Sequence, residues 1–295
     1  MAELGIGKNM VTSVRHWAEA AGTIRFSDGS WIVSDLGTDI FGPAGCDPYL
    51  DDMTTLWLIH WNFASSLFTP PMFAWEVFFG RWREPEFTRS QALAEFRRIA
   101  DAAGRKVSDV TLEQHLDVFI HTYVAQLGGK RVVAEESLDS PLTELDLIRA
   151  TERRSDGAGE QVFSYPRSER PGITPDLFAY CVASYWRTKR PNEQTLTFSD
   201  LSSAPGSVGQ VFRLTEADLR RRIECVEDAT GGALTYRYSH GNPVVIAPDG
   251  LDRLLRVPSL YRGRPTLPAG ARTMRMRGAG PIRRPAKRTR RGRRI

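Results

Sequence analysis

Cysteine is nearly absent from this chain. Cys46, Cys181 and Cys225 are three isolated residues in 295, with no CxxC pair and no Cys/His spacing. That pattern argues against a disulfide framework and a structural zinc site, and reduced, mostly buried thiols are expected. Long apolar runs are missing too, since none approaches the roughly 18 residues needed to span a bilayer. No charged-then-apolar leader opens the sequence, so a cytoplasmic protein without membrane association is the expectation. There is no Gly-rich phosphate loop followed by Lys-Ser/Thr, no dinucleotide fingerprint and no Ser-nucleophile elbow. Gly5-Ile6-Gly7-Lys8 lacks the preceding strand that a phosphate loop needs. Histidine is scarce: His16, His60, His115, His121 and His240 show no ligand spacing, and His60, between Ile59 and Trp61, has the setting of a satisfied core residue.

Charge of one sign is missing from one place only. Residues 271–295 hold eleven Arg or Lys and no Asp or Glu, so residues 1–270 carry 29 basic against 35 acidic side chains, a balance of −6. The formal net charge of +5 therefore comes from the tail alone. Such a distribution points to local patches and an arm rather than a broad nucleic-acid surface. From residue 258 onward the chain is rich in Pro, Gly and Arg and is expected to be disordered. Its Arg283, Arg284, Lys287, Arg288, Arg290 and Arg291 are candidates for salt-sensitive, sequence-independent phosphate contacts. A solubilising role, or contact with a protein partner, is the alternative for the same residues.

The richest segment lies at the other end. Apolar Met10, Val14, Trp17, Ala18 and Ala21 recur at three- and four-residue spacing, which predicts a helix with one face on a core. The opposite face presents Lys8, Asn9, Ser13, Arg15 and His16, residue types that reach phosphates and base edges. Gly22 is a helix stop. Asp28-Gly29 then supplies the positive φ angles of a two-residue hairpin turn, with Arg25 and Phe26 entering and Trp31 to Val33 leaving. A recognition helix beside a wing is the reading, with Arg25 as a further DNA contact.

The fold class expected is mainly α with small β-hairpins: winged helix-turn-helix-like units near both ends around a helical middle. Residues 1–45 form the first unit and 46–148 an aromatic-rich helical core. A linker or mobile loop is expected over 149–160, a helix plus a second winged-helix-like unit over 161–257, and the basic tail over 258–295. Residues 57–87 hold ten of the 29 aromatics. With few basic residues interleaved, core packing is favoured there over a base-stacking platform. Asp51 or Asp52 caps a helix over Thr54–Phe68 that is apolar nearly all round. Further helices are expected over Thr88–Gly104, Ser108–Leu127 (with Val110, Leu116, Phe119, Ile120 and Val124 buried) and from Pro175 to just beyond Tyr185. Short helices are expected over Phe198–Ser203, Pro205–Phe212 and Thr215–Ala229, then a hairpin around His240-Gly241-Asn242. No sequence-level repeat links the two halves.

Four stretches carry a family resemblance: LGIGKNMV at Leu4–Val11, DPYL at Asp47–Leu50, LWLIHW at Leu56–Trp61 and PGSVGQVFRL at Pro205–Leu214. Together they resemble the domain family of unknown function DUF4007, over a span from about Leu4 to about Tyr238. Members of that family are similar to the DNA-nicking component of bacterial phosphorothioation defence systems. The resemblance therefore implies DNA as a partner, together with an ATPase, a cysteine desulfurase and a relative of phosphoadenosine-phosphosulfate (PAPS) reductase. The family pattern begins upstream of the LGIGKNMV helix with an aromatic, Gly-His-Glu and Arg-containing stretch, whereas here Met1-Ala2-Glu3 abuts the motif. A misassigned start or a natural truncation is implied, with the first helix of the winged unit and candidate catalytic residues lying upstream.

Nicking a phosphodiester calls for carboxylates holding one or two divalent cations, or for a nucleophile such as Tyr, Ser or His. Asp47, Asp51 and Asp52 cluster around Tyr49, with Glu76 on a following helix. Asp47 and Asp51 are the in-chain catalytic candidates. Asp47, Asp51 and Asp52 are the candidate ligands for Mg or Mn, with Lys8 or His16 near the scissile phosphate. The structural alternative is a turn at Asp47-Pro48 and a helix cap at Asp51-Asp52. Two functions stand side by side: a strand-nicking subunit of a phosphorothioation-type antiphage system, and a non-enzymatic winged-helix adaptor or regulator.

Overall fold

A computed structural model describes residues 7–65, 72–125, 140–153, 160–166, 168–239 and 242–261. All the described residues fall in one compact unit. It opens with helix α1 (Lys8–Ala20), the hairpin β1 (Ile24–Ser27) and β2 (Ser30–Val33), and α2 (Asp35–Phe41). Ser34 ends the hairpin and starts α2, its hydroxyl accepting the Gly37 N–H and donating to Gly22 O.

Helix α3 (Met53–Ser65) is the centre of the molecule, with eleven of its 13 residues buried. Asp52 starts it by accepting the Thr54 N–H at 2.7 Å. A short α4 (Phe73–Glu76) runs into a π turn, Val77–Arg81. Trp57, Trp61, Phe63, Trp75, Phe78 and Phe79 are all buried, so this aromatic run is core, as its lack of interleaved basic residues suggested.

Beyond the π turn the chain uses one pattern twice. Strand β3 (Glu86–Thr88) leads into α5 (Arg89–Ala102) and α6 (Asp109–Tyr123) and, after a 3₁₀ turn at Pro141–Leu145, into the hairpin β4 (Arg149–Arg153) and β5 (Glu160–Ser164). Helix α7 (Pro175–Lys189) then leads to β6 (Thr195–Thr197), α8 (Phe198–Ser202), α9 (Val208–Val211), α10 (Glu216–Glu224), α11 (Val226–Thr230) and the hairpin β7 (Thr235–Ser239) and β8 (Asn242–Ile246). Both sheets are antiparallel, and in both the last strand is central: β3-β5-β4 and β6-β8-β7. In both, a three-residue strand ends in a threonine that starts the next helix through a reciprocal cap, Thr88 with Gln91 and Thr197 with Asp200. Ser108, Thr174 and Thr215 cap α6, α7 and α10, with Pro175 in the first turn of α7.

Several expectations are corrected. Residues 149–153 are not linker but strand β4, and β5 pairs with both β4 and β3, so the expected boundary at 148/149 cuts through a sheet. The tail does not begin at 258. Val257–Tyr261 is a 3₁₀ turn with Val257, Leu260 and Tyr261 buried, and Tyr261 Oη lies 2.7 Å from Thr55 Oγ1. Val110 is 63% exposed rather than part of the buried stripe of α6. Of the three free thiols only Cys181 is buried, while Cys46 and Cys225 are exposed. The central His240-Gly241 of the distal hairpin turn lies outside the described residues.

Candidate nucleic-acid interface

Among the described residues helix α1 is anchored at its C-terminal end only. The Trp17 ring meets Phe63 at 5.3 Å and Trp75 at 5.8 Å between centroids, and the Asn62 amide on α3 donates to Ala21 O at 2.7 Å. The turn after the helix is tight: a Cβ on Gly37 would lie 2.2 Å from Thr23 O, so only glycine fits there. The N-terminal half is uncovered. Met10 and Val14, expected on the core, are each 58% exposed. Lys8, Asn9, Ser13, Arg15 and His16 are all exposed as well, so both the apolar and the polar sides of these turns face outward.

The hairpin has the register that Asp28-Gly29 demands, with Asp28 at φ 50° and Gly29 at φ 79°. Ile24 lies opposite Val33, Arg25 opposite Ile32 and Phe26 opposite Trp31. Phe26 and Trp31 make an edge-to-face pair at 5.4 Å, and the Arg15 guanidinium lies 5.3 Å from the centre of the Trp31 ring. Arg15 thus ties α1 to the hairpin while staying exposed. Arg25 projects from the other face of the hairpin. Among the described residues Lys8, Arg15 and Arg25 form no ion pair, so their charges are available to an anion. His115 on α6 is held below the usual histidine range, first by partial burial and then by the nearby His16.

The carboxylate cluster has a different occupation. Asp47 is 5% exposed, and its Oδ1 and Oδ2 accept the backbone N–H groups of Asp51 and Asp52 at 2.9 and 3.0 Å. It organises the turn before α3, next to Leu50 in the left-handed region at φ 59°. Asp52 caps the helix, while Tyr49 is 78% exposed and Glu76 pairs with Arg81. Among the described residues no group of three or more His, Cys, Asp and Glu side chains is placed to hold a metal.

Two buried polar systems escaped sequence reasoning in part. The imidazole of His60 bridges the two repeated patterns, with Nδ1 2.7 Å from Tyr123 Oη and Nε2 2.8 Å from Val211 O. A carbonyl only accepts, so Nε2 carries the proton, Tyr123 donates to Nδ1, and the Trp75 indole N–H donates to Tyr123 Oη. Burial pushes the His60 pKa down to about 3. Arg213, in the PGSVGQVFRL stretch, has a left-handed backbone at φ 52°, donates to Phe78 O and lies 3.8 Å from the centre of the Tyr165 ring. Burial raises the Tyr165 hydroxyl to about 12, against the lowering effect of the Arg213 charge. That stretch is a clamp between elements. The tail candidates Arg283, Arg284, Lys287, Arg288, Arg290 and Arg291 lie outside the described residues.

The family described as "Protein of unknown function (DUF4007)" matches residues 1–255. Among curated proteins none matches the chain in sequence. A magnesium ion-bound crystal structure of SspB superposes with a TM-score of 0.74 at 23% identity, over 90% of this chain and 79% of that one. Another SspB crystal structure gives a TM-score of 0.70 at 24% identity with the same coverage. At such identity the likeness shows a shared fold.

Proposed function

This chain belongs to the DUF4007 family, and we propose that it is the DNA-binding, strand-nicking subunit of a phosphorothioation-type antiphage system. The observation that carries the DNA-binding part is the uncovered half of α1 beside its hairpin, where Lys8, Arg15 and Arg25 stand exposed with no acidic partner among the described residues. The fold shared with SspB supports the system. Within it, the protein partners are an ATPase, a cysteine desulfurase and a PAPS-reductase relative. The distal strand–helix–helix–hairpin pattern, with β8 central, supports the winged-helix-like reading of residues 161–257. The basic tail adds affinity that does not depend on sequence.

A non-enzymatic adaptor is the second reading, and one observation favours it: the carboxylates at Asp47 and Asp52 are engaged in building the start of α3. Magnesium is bound in one of the SspB structures. Here no group of three or more His, Cys, Asp and Glu side chains is placed to hold a metal among the described residues, so no step is routed through one.

Two measurements test the reading. Lys8→Ala with Arg15→Ala should weaken duplex binding several-fold and lower the slope of log affinity against log salt by about 2. Unchanged affinity with the fold intact removes α1 from the interface. Supercoiled plasmid should convert to open circles in Mg²⁺ or Mn²⁺, and nicking that survives Asp51→Ala takes that carboxylate out of the chemistry. DNA binding without any nicking favours the adaptor.

A further inference from the structure

The first hairpin differs from the other two in what stands beside it. β5 and β8 each gain a third strand, and their centres are buried at Phe163 and Val245. β1 and β2 form a sheet of two, and Phe26 is left 59% exposed although it is as large as the side chains that fill the core elsewhere. It stands next to Trp31, and Trp31 lies under the Arg15 guanidinium. Residues 7–33 contain Lys8, Arg15 and Arg25 against Glu19 and Asp28, a balance of +1 in a body of −6. Asp28, the acid at the turn, is engaged by the Ser27 hydroxyl. The distal hairpin also shows an aromatic, Tyr238 at 69% exposure, but its neighbour Arg237 is neutralised by Glu227.

We propose that Phe26 and Trp31, with the Arg15 guanidinium over the Trp31 ring, are a stacking platform for an unpaired base, so that the first hairpin prefers DNA with a locally opened strand over a closed duplex. The inference rests on the DNA-binding reading above and names the state of DNA that the same surface selects. An aromatic face accepts any base through its π surface, and a guanidinium beside it supplies both phosphate attraction and cation–π support. Inside a closed duplex the bases are stacked on each other and offer no free face.

The test uses the full chain and three labelled DNAs of equal length and equal salt: a closed duplex, the same duplex with a short internal mismatch bubble, and the single strand. Fluorescence anisotropy should give about tenfold tighter binding to the bubble than to the closed duplex. Phe26→Ala, and Phe26→Leu as an apolar variant without a ring, should abolish that preference while the melting temperature stays close to the parent's, since Phe26 is largely exposed. Lys8→Ala should weaken all three DNAs by the same factor. Equal binding of bubble and duplex by the unaltered protein overturns the platform while leaving DNA binding in place, and so does a bubble preference that persists in both Phe26 variants. No binding to any of the three removes the DNA-binding reading and this inference with it.

Discussion

Helices α1 and α3 have the same length, 13 residues, and opposite fates: eleven residues of α3 are buried, and of α1 only Ala20. Both carry apolar side chains at helical spacing. In α3 those side chains surround the axis, so that every face meets a neighbour and the helix becomes the hub of the core. In α1 they form a stripe whose C-terminal half, Trp17 to Ala21, reaches Phe63, Trp75 and Asn62, and whose N-terminal half reaches nothing described. A regular apolar period therefore predicts a helix in both places, but does not by itself predict what covers it. In α1 the uncovered turns carry the free basic side chains, which is where a surface kept for a partner is expected.

That contrast can be broken at its strong end first. Trp61→Ala removes a fully buried indole from α3 and should cost about 3–5 kcal/mol of unfolding free energy, read from urea titration. A loss of less than about 1 kcal/mol would show that α3 is not the hub. His60, also on α3, links the contrast to pH. Its folded pKa of about 3 lies below the unfolded value of about 6.5, so the unfolded chain binds the proton more readily. Its contribution is complete above pH about 6.5 and is lost progressively as pH falls from there towards 3. His60→Leu should therefore be less stable at neutral pH, by about 1–3 kcal/mol for the stranded Tyr123 and Val211 groups. The variant should also lose stability less steeply than the parent between pH 6.5 and 5. Parallel slopes in thermal melts across that window would contradict a buried neutral imidazole. At the weak end, Val14→Ser on α1 should change stability by no more than about 0.5 kcal/mol, because the side chain is already 58% exposed. A larger loss in the same titration would mean that the uncovered half of α1 is covered after all.

Much of the local structure was legible in the sequence because its signals are short-range. Asp28-Gly29 dictated the hairpin, and the capping residues Ser108, Thr174 and Thr215 marked helix starts. The aromatic density of 57–87 marked the core, and His60 proved to be a satisfied core histidine. The strands β3 and β6 stayed hidden because three residues are too few to show a period of two, and β3 finds its partner across more than 70 residues in β5. β4 was hidden by its own composition, since Arg149-Ala-Thr-Glu-Arg153 reads as a polar loop. The repeat depends on those strands, so it too was out of reach, although Phe87-Thr88 and Leu196-Thr197 before capped helices are its trace in the sequence. In the candidate site, the basic residues of α1 were found on the exposed face as expected. Asp47 and Asp52 accept hydrogen bonds from backbone N–H groups, and no residue pattern reports which way a carboxylate turns. Phe26 and Trp31 were seen as strand residues only. The exposure of Phe26 goes with a sheet of two, since among the described residues no third strand pairs with β1 or β2.

The order of strands has a consequence for how the chain is made. Each three-stranded sheet is held together by the strand that emerges last from synthesis, β5 at Glu160–Ser164 and β8 at Asn242–Ile246. Until that strand appears, the two earlier ones have no common neighbour, and the helices between them have no sheet to pack against. The first hairpin needs no such wait, since β1 and β2 are joined by a two-residue turn and pair within ten residues. Closure therefore proceeds from the N-terminus in discrete steps, and the Thr55–Tyr261 hydrogen bond joins the central helix to a residue that is synthesised 206 positions later.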